Sequence, residues 1–123
     1  MDAAARPGPP DLELVGAAVS ALRRGLGAHL HPSAAAVRTS SGAVVTGLGL
    51  GTAVCAEPVA VGAALSRGER VVALAAVRHL DDDATRVTAP CATCRALLRA
   101  HAPAVLVVHL ADGLRIGPVD ALP

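Results

Sequence analysis

The apolar residues in the first part of the chain follow a helical spacing and then an extended one. Over residues 11–28 they recur at helical intervals, which predicts a helix with Asp11 as its N-cap and a glycine near its end. Residues 33–38 and 43–47 are short apolar runs on either side of the turn-forming segment 39–42. This pattern predicts a β-hairpin after the helix.

The remainder of the chain alternates between helical and extended segments. Residues 56–66 are apolar on nearly every side, which predicts a buried helix, and residues 71–77 form a continuous apolar run typical of a buried strand. A further helix is predicted over residues 91–100, a strand over 104–110, and a short last strand or irregular tail over 114–119. The order α-β-β-α-β-α-β predicts an α/β domain in which helices cover the faces of a mixed sheet.

The length of the chain predicts a single domain. A chain of 123 residues is long enough for one hydrophobic core and too short for two. Residues 1–10, rich in Ala and Pro, are expected to form a flexible lead-in, and residues 11–123 the domain. Residues 80–85 contain three aspartates and are expected to form a solvated loop.

Targeting and membrane segments are not recognisable in the sequence. The N-terminal residues include an early acid and no apolar stretch, and no apolar run approaches the length of a membrane span. The cysteines number three, and an odd count without a signal peptide favours reduced thiols over a disulfide framework. We therefore expect a cytoplasmic protein without a membrane partner.

The composition limits the class of partner. Apolar residues make up 53% of the chain, yet none of them is Phe, Tyr or Trp, so the core must consist mainly of Ala, Val and Leu. Without aromatic side chains there is no platform on which the bases of a single strand could stack. The formal net charge of +1 also provides little attraction for a phosphate backbone. A small-molecule substrate is therefore expected, and nucleic acid is not.

The strongest chemical signal is the placement of the cysteines. Cys55 stands two residues before Glu57 at one predicted helix start, and Cys91 and Cys94 stand three apart at another. Three protein ligands plus a water is the pattern of a catalytic zinc site. A first Cys or His ligand, a non-ligating Glu two residues later and a Pro-Cys-x-x-Cys motif form a signature of zinc deaminases. We therefore predict that the three cysteines hold Zn²⁺, and that Glu57 transfers protons as general base and acid.

Two other interpretations of the cysteines remain open at this point. Cys91 and Cys94 alone match the spacing of a thiol redox motif, although Cys55 and Glu57 would then be unexplained. A closed structural zinc site would need a fourth ligand, and histidines are present at positions 29, 31, 79, 101 and 109. Metal content separates the redox interpretation from the two zinc interpretations, because a redox dithiol purifies without stoichiometric zinc.

In these motifs the chain resembles the cytidine deaminase superfamily, most closely its blasticidin-S deaminase branch. The strong motifs are Cys55-Ala56-Glu57 and Pro90-Cys91-Ala92-Thr93-Cys94-Arg95, with weaker support from residues 31–37, 41–42 and 46–47. The resemblance covers nearly all of residues 11–119. It implies a three-layer α/β fold in which a mixed five-stranded sheet carries helices on both faces, the two zinc-bearing helices sharing one face. It also implies a homotetramer, or a homodimer, whose sites are completed by neighbouring subunits.

The sequence departs from that family where the sugar of a nucleoside would be held. Nucleoside deaminases of the family carry an Asn-x-Glu pair after the second strand, and those positions are Gly49 and Gly51 here. The substrate-lining Phe of the family is replaced by His31. The predicted substrate contacts are His31, Ala56 and Pro90. The zinc and acid–base residues of the family are thus complete, whereas its ribose contacts are missing.

These observations lead to one functional prediction and two alternatives. The predicted function is hydrolytic deamination of a cytosine nucleoside or nucleoside-like aminopyrimidine, of the cytidine, deoxycytidine or blasticidin-S type, in which zinc-activated water releases ammonia. The first alternative is a non-catalytic zinc-binding protein that retains the deaminase fold. The second is a deaminase of an unrelated specialised substrate.

Overall fold

The structure is a computed structural model that describes residues 5–25, 32–51, 54–80 and 84–123. Its helices are α1 (Pro9–Arg24), α2 (Ala56–Ser66) and α3 (Ala92–His101), with a short 3₁₀-helix over Val119–Ala121. Its strands are β1 (Ser33–Thr39), β2 (Val44–Leu48), β3 (Val71–His79), β4 (Thr85–Thr88), β5 (Leu106–Leu110) and β6 (Leu114–Pro118). Among these helices, none is long and apolar enough to cross a membrane.

The strands form one mixed sheet. Five of them lie in the order β2-β1-β3-β5-β6, and β4 pairs with residues 76–79 of β3. Neighbouring strands are antiparallel except β3 and β5, which run parallel because α3 connects them across one face of the sheet. The predicted mixed α/β sheet is therefore confirmed, with six strands in place of the expected five.

The additional strand is β4, which begins at the end of a segment predicted to be a solvated loop. Of the predicted loop 80–85, residues 81–83 lie outside the described part of the chain. The chain then pairs with β3 from Thr85 onwards, so that Thr85 lies opposite His79 and Val87 opposite Val77. A strand of four residues carries too little alternation of polar and apolar positions to be distinguished from a loop by its sequence.

Helices cover both faces of the sheet, which confirms the three-layer arrangement. On one face α1 packs through Leu14, Ala18 and Leu22 against alanines and valines of the central strands. On the other face α2 and α3 share a second apolar cluster with the intervening positions of the same strands. Most buried side chains in both layers are Ala, Val or Leu, as the absence of aromatic residues requires. Both helices predicted to bear zinc ligands therefore lie on the same side of the sheet.

Helix α1 begins earlier than its pattern predicts. The N-cap is Gly8 rather than Asp11, and the Asp11 Oδ2 accepts a hydrogen bond from the Gly8 N–H at 2.7 Å from within the first turn. Pro9 is compatible with this start because the first helical position needs no N–H donor. Upstream of the helix, Ala5 pairs with Ile116 of β6 through hydrogen bonds of 2.7 and 2.8 Å.

Gly47 is the residue through which β2 lies against α2. A Cβ at this position would lie 2.7 Å from the Ala60 nitrogen and 2.8 Å from Val59 Cγ1. We expect Gly47→Ala to lower the free energy of unfolding by about 1–3 kcal/mol, since the helix backbone must shift to admit a methyl group. Gly16→Ala is the matched control. No atom lies within 4 Å of a Cβ at this exposed α1 position, so a gain of about 0.5–1 kcal/mol is expected. Urea denaturation of both variants measures the difference, and equal stabilities would contradict the close approach.

Candidate active site and metal centre

Two of the three cysteines are the N-cap residues of helices α2 and α3. Cys55 precedes α2 and Cys91 precedes α3, each with an extended backbone (φ −69°, ψ 156° and φ −70°, ψ 173°). An N-cap side chain lies near the free N–H groups of the first turn, where the helix dipole favours negative charge. Hydrogen bonds from backbone N–H groups, above all that of Cys94, accordingly lower the pKa of the Cys91 thiol. The N-cap position of Cys91 thus favours its thiolate.

Cys94 lies in the first turn of α3 and completes a compact cluster of thiols. Its side chain is buried, and the three Sγ atoms all lie within 4.8 Å of one another. Tetrahedral coordination with zinc–sulfur bonds of about 2.3 Å places sulfurs about 3.8 Å apart, which is compatible with this spacing. Burial, followed by the negative charge of Glu57, raises the pKa of the Cys94 thiol, so a cation is needed to stabilise its thiolate. The cluster can therefore hold a metal ion that prefers sulfur ligands.

A fourth protein ligand is not present among the described residues. The metal-binding group that they contain consists of the three cysteines alone, without His79, His101 or His109. Two of the histidines considered as fourth ligands, His29 and His31, lie outside the described residues. Within the described part of the chain, the cluster has the three-ligand composition of catalytic zinc sites rather than four closed ligands.

Glu57 lies in the first turn of α2, two residues from Cys55, and its side chain is only 6% exposed. Burial raises the pKa of this carboxyl. A backbone hydrogen bond at Glu57 and the positive charge of Arg78 act in the opposite direction without cancelling the effect of burial. A carboxyl with a raised pKa can both accept and release a proton near neutral pH.

A cavity of about 350 Å³ opens beside the cysteines, within the size range of small-molecule sites. Glu57, Cys55 and Cys91 line it together with residues from β1, β3, β4 and the loops. The other lining residues are Pro32, Ser33, Gly51, Arg78, His79, Thr88 and Ala89. The carboxyl group and the thiol cluster are therefore exposed to the same small-molecule cavity.

The segment that leads into α3 is fixed by Arg95. Its Nε donates a hydrogen bond of 2.8 Å to the Pro90 carbonyl oxygen, and its Nη1 donates one of 3.1 Å to the Pro123 oxygen. Pro90 itself is fully buried. Arg95 thus orients the turn that places Cys91, which is a structural role for an arginine next to the Pro-Cys-x-x-Cys motif.

The three residues predicted to contact the substrate differ in their position relative to the cavity. Ala56 is fully buried at the start of α2, and the side chains that line the cavity are those of its neighbours Cys55 and Glu57. Pro90 is likewise flanked by the lining residues Ala89 and Cys91. His31 lies outside the described residues. The roles of these three residues in substrate binding remain predictions.

The loop in which the family's Asn-x-Glu pair would stand is close to the start of α2. A Cβ at Gly49 would overlap the Ser33 hydroxyl and lie 3.2 Å from the Val54 carbonyl oxygen. The Gly49 N–H also donates a hydrogen bond of 2.8 Å to the Ser33 carbonyl oxygen. Gly51 lines the cavity with a φ of +67°, a conformation that favours glycine. The glycines thus allow a tight loop, and an Asn at position 49 would require the Ser33 side chain to move and the Val54 carbonyl to shift.

Sequence reasoning missed the polar residues that β3 and β4 contribute to the cavity. Arg78, His79 and Thr88 lie there because the two strands form a hairpin beside the thiol cluster. A charged residue at the end of the apolar run 71–77 was the available signal. Its significance depends on the pairing of β3 with β4, which the sequence pattern did not predict.

The fold and the site together define a domain of the deaminase type, with a three-thiol cluster and a buried glutamate two residues after the first thiol. No family model matches the chain. It is 33% identical to a blasticidin-S deaminase from Bacillus cereus, over 84% of this chain and 81% of that protein. The crystal structure of cytidine deaminase from Mycobacterium tuberculosis is similar, with 29% identity, a TM-score of 0.70 and coverage of 91% of this chain and 93% of that one. The cytidine deaminase from Bacillus anthracis shares the fold at 18% identity, with a TM-score of 0.72 over 89% and 84% of the two chains.

The chain belongs to the cytidine deaminase superfamily. The resemblance inferred from its cysteine motifs and the predicted fold class are both confirmed.

Proposed function

We propose that the protein is a zinc-dependent aminohydrolase that deaminates a cytosine nucleoside or nucleoside-like aminopyrimidine of the cytidine, deoxycytidine or blasticidin-S type. One observation carries the proposal. Three thiols lie within 4.8 Å of one another, and the buried Glu57 lines the same small-molecule cavity as two of them. The names of the relatives, blasticidin-S deaminase and cytidine deaminase, support a cytosine-type substrate.

Cys55, Cys91 and Cys94 would hold Zn²⁺ at the inner end of the cavity. When bound there, the ion would supply Lewis acidity and a nucleophilic water at neutral pH. The N-cap positions of Cys55 and Cys91 place two of the thiolates at positive helix ends, which offsets the charge of a three-thiolate site.

Glu57 would carry the protons of the reaction. It would first accept a proton from the attacking water and donate it to a ring nitrogen of the pyrimidine. It would then accept the remaining proton of the newly added hydroxyl group and donate it to the departing amino group, so that a carbonyl and ammonia result. One carboxyl can perform these opposite roles because burial raises its pKa toward the working pH. Its position two residues after Cys55 brings it to the cavity without making it part of the thiol cluster.

Ammonia release from a panel of amines tests the proposal. Zinc-quantified protein would be assayed with cytidine, deoxycytidine, cytosine, 5-methylcytidine, blasticidin S, and adenine and guanine compounds. Turnover of a cytosine compound by protein with one zinc per chain is the expected result. Turnover confined to purines, or deamination that persists after complete removal of zinc, would contradict it.

A non-catalytic zinc protein is the second candidate, and the glycine loop is the observation that favours it. Both positions of the family's ribose-binding pair are glycines here, position 49 closely packed against Ser33 and Val54 and position 51 with a positive φ. Full zinc content with no release of ammonia from any panel compound would favour this candidate. A deaminase of an unrelated specialised substrate would also bind zinc and release no ammonia from this panel. A panel with further classes of amine would identify it.

The family resemblance also supports a homotetramer or homodimer in the cytoplasm. The outer side of α2 is apolar, with Leu65 38% exposed, so this helix is available for association between copies. Sedimentation equilibrium would measure the number of chains in the assembly, and a monomer at micromolar concentration would contradict this part of the proposal.

A further inference from the structure

Arg78 occupies an unusual place for a charged residue. It stands near the end of β3, directly after the buried Val77, and lines the cavity that contains Glu57, Cys55 and Cys91. Its side chain is exposed, and among the described residues it has no hydrogen bond or salt bridge. A guanidinium group thus lies on the cavity wall without a protein acceptor in the described part of the chain.

A second arginine lies directly opposite on β4. The register of the hairpin pairs Arg78 with Arg86, so both side chains are on the same face of the sheet. This face contains the cavity, because Thr88, two residues beyond Arg86, also lines it. Like charges directly opposite each other on two strands are destabilising. An anion between them would remove that cost.

Among the described residues, no carboxylate forms a salt bridge with either arginine. Glu57 is the only carboxylate among the described residues that line the cavity, and it stands two residues after Cys55. The glutamate of the family's Asn-x-Glu pair is replaced by Gly51, so the loop facing the cavity adds no negative charge. Asp81, Asp82 and Asp83, in the segment between the strands, lie outside the described residues. Compared with the family pattern, the cavity therefore lacks a carboxylate suited to a sugar hydroxyl and presents the guanidinium group of Arg78.

We propose that Arg78, assisted by Arg86, binds an oxyanion that the substrate carries outside its pyrimidine ring, so that the preferred substrate is an anionic cytosine compound. The inference rests on the proposed function and specifies its substrate class. Paired arginines suit both carboxylates and phosphates because guanidinium groups donate two parallel hydrogen bonds to such groups. The anion would thus orient the pyrimidine in place of the missing ribose contacts.

Steady-state kinetics with three matched substrates tests this proposal. Cytidine is neutral at the 5′ position, cytidine 5′-carboxylate bears a carboxylate there, and cytidine 5′-monophosphate a phosphate. At least one anionic compound is expected to have a higher kcat/KM than cytidine. Arg78→Gln should lower kcat/KM for that compound by about 10- to 100-fold, mainly through KM. Because loss of the Arg78 charge acts on Glu57 with either substrate, the deciding quantity is the ratio of kcat/KM for the anionic compound to kcat/KM for cytidine, which should fall by about 10-fold or more. The two anionic arms distinguish a carboxylate site from a phosphate site.

Three further variants separate anion binding from general effects of charge. Arg86→Gln should reduce the same preference, and Arg78→Lys should restore part of it. Arg70→Gln removes the same charge from an exposed position just before the other end of β3, and should leave the preference unchanged. Circular dichroism checks that each variant is folded, and the zinc content checks that each variant has bound its metal.

Equal losses for neutral and anionic substrates in Arg78→Gln would overturn the proposal, because they would mean that Arg78 acts on the thiol cluster or Glu57 rather than on an anion. A wild-type preference for cytidine over both anionic compounds would overturn it as well. If none of the three compounds is deaminated, the proposed function fails on this panel. Calorimetric binding of the same compounds then decides the inference, which requires tighter binding of an anionic compound and loss of that advantage in Arg78→Gln.

Discussion

Glu57→Gln is expected to abolish deamination while leaving the fold and the bound zinc intact. The amide has nearly the same size and can occupy the same buried position in α2, but it cannot accept a proton from water. Because one carboxyl would serve as base and then as acid, its removal affects several steps of the reaction. We expect kcat to fall by about 10²- to 10⁴-fold, the range for loss of general acid–base catalysis.

Ammonia release, zinc content by mass spectrometry and thermal unfolding would be measured on the same preparation of Glu57→Gln. Glu69→Gln is the matched control. Glu69 accepts a hydrogen bond of 2.7 Å from the Thr39 hydroxyl and forms a salt bridge with Arg67, and it does not line the cavity. Its substitution should leave kcat unchanged. If Glu57→Gln retained turnover within a few fold of wild type, Glu57 would not carry the protons.

The thiol cluster could be predicted because its determinants are local in the sequence. Cys91 and Cys94 are three residues apart, so a helix that starts between them places both on one side. Cys55 and Glu57 likewise belong to the N-cap and first turn of a single helix. Only the approach of the two helix starts is a tertiary feature, and the family resemblance supplied it.

The wall of the cavity could not be predicted, because it depends on pairing between distant residues. Arg78 and Arg86 are separated by a short connection, and only the register of β3 with β4 places them opposite each other. The pattern of residues 80–85 predicted a loop, and without β4 there was no reason to place Arg86 near the site. Pairing registers are set by contacts across strands, and four residues are too few to specify one.

Gly49 is a second residue whose role depends on tertiary packing. In the sequence it is one of several glycines in a short segment, which is typical of a loop. In the structure, the Ser33 hydroxyl and the Val54 carbonyl oxygen occupy the space that a side chain would need. The loss of the family's Asn was visible in the sequence, but the close packing of this position against β1 was visible only in the structure.

Cys91→Ser is expected to release zinc and destabilise the domain. Serine is a favourable N-cap residue, so its hydroxyl can accept the hydrogen bond of the Cys94 N–H and preserve the start of α3. It is nevertheless a poor substitute for a thiolate in a sulfur-ligated zinc site. The stability lost should therefore be that contributed by the metal, about 3–4 kcal/mol where free zinc exceeds its dissociation constant 100- to 1,000-fold.

Chemical denaturation with and without a chelator measures this contribution in both proteins. Chelation should destabilise the wild type to approximately the level of Cys91→Ser and should leave the variant unchanged, because metal binding is coupled to folding. Cys91→Ala provides the comparison for the helix start, since it removes both the ligand and the N-cap acceptor and should be less stable than Cys91→Ser by about 1 kcal/mol. Full zinc content and wild-type stability in Cys91→Ser would show that Cys91 is not a ligand, and a chelator that destabilised this variant as much as the wild type would assign the metal to other residues.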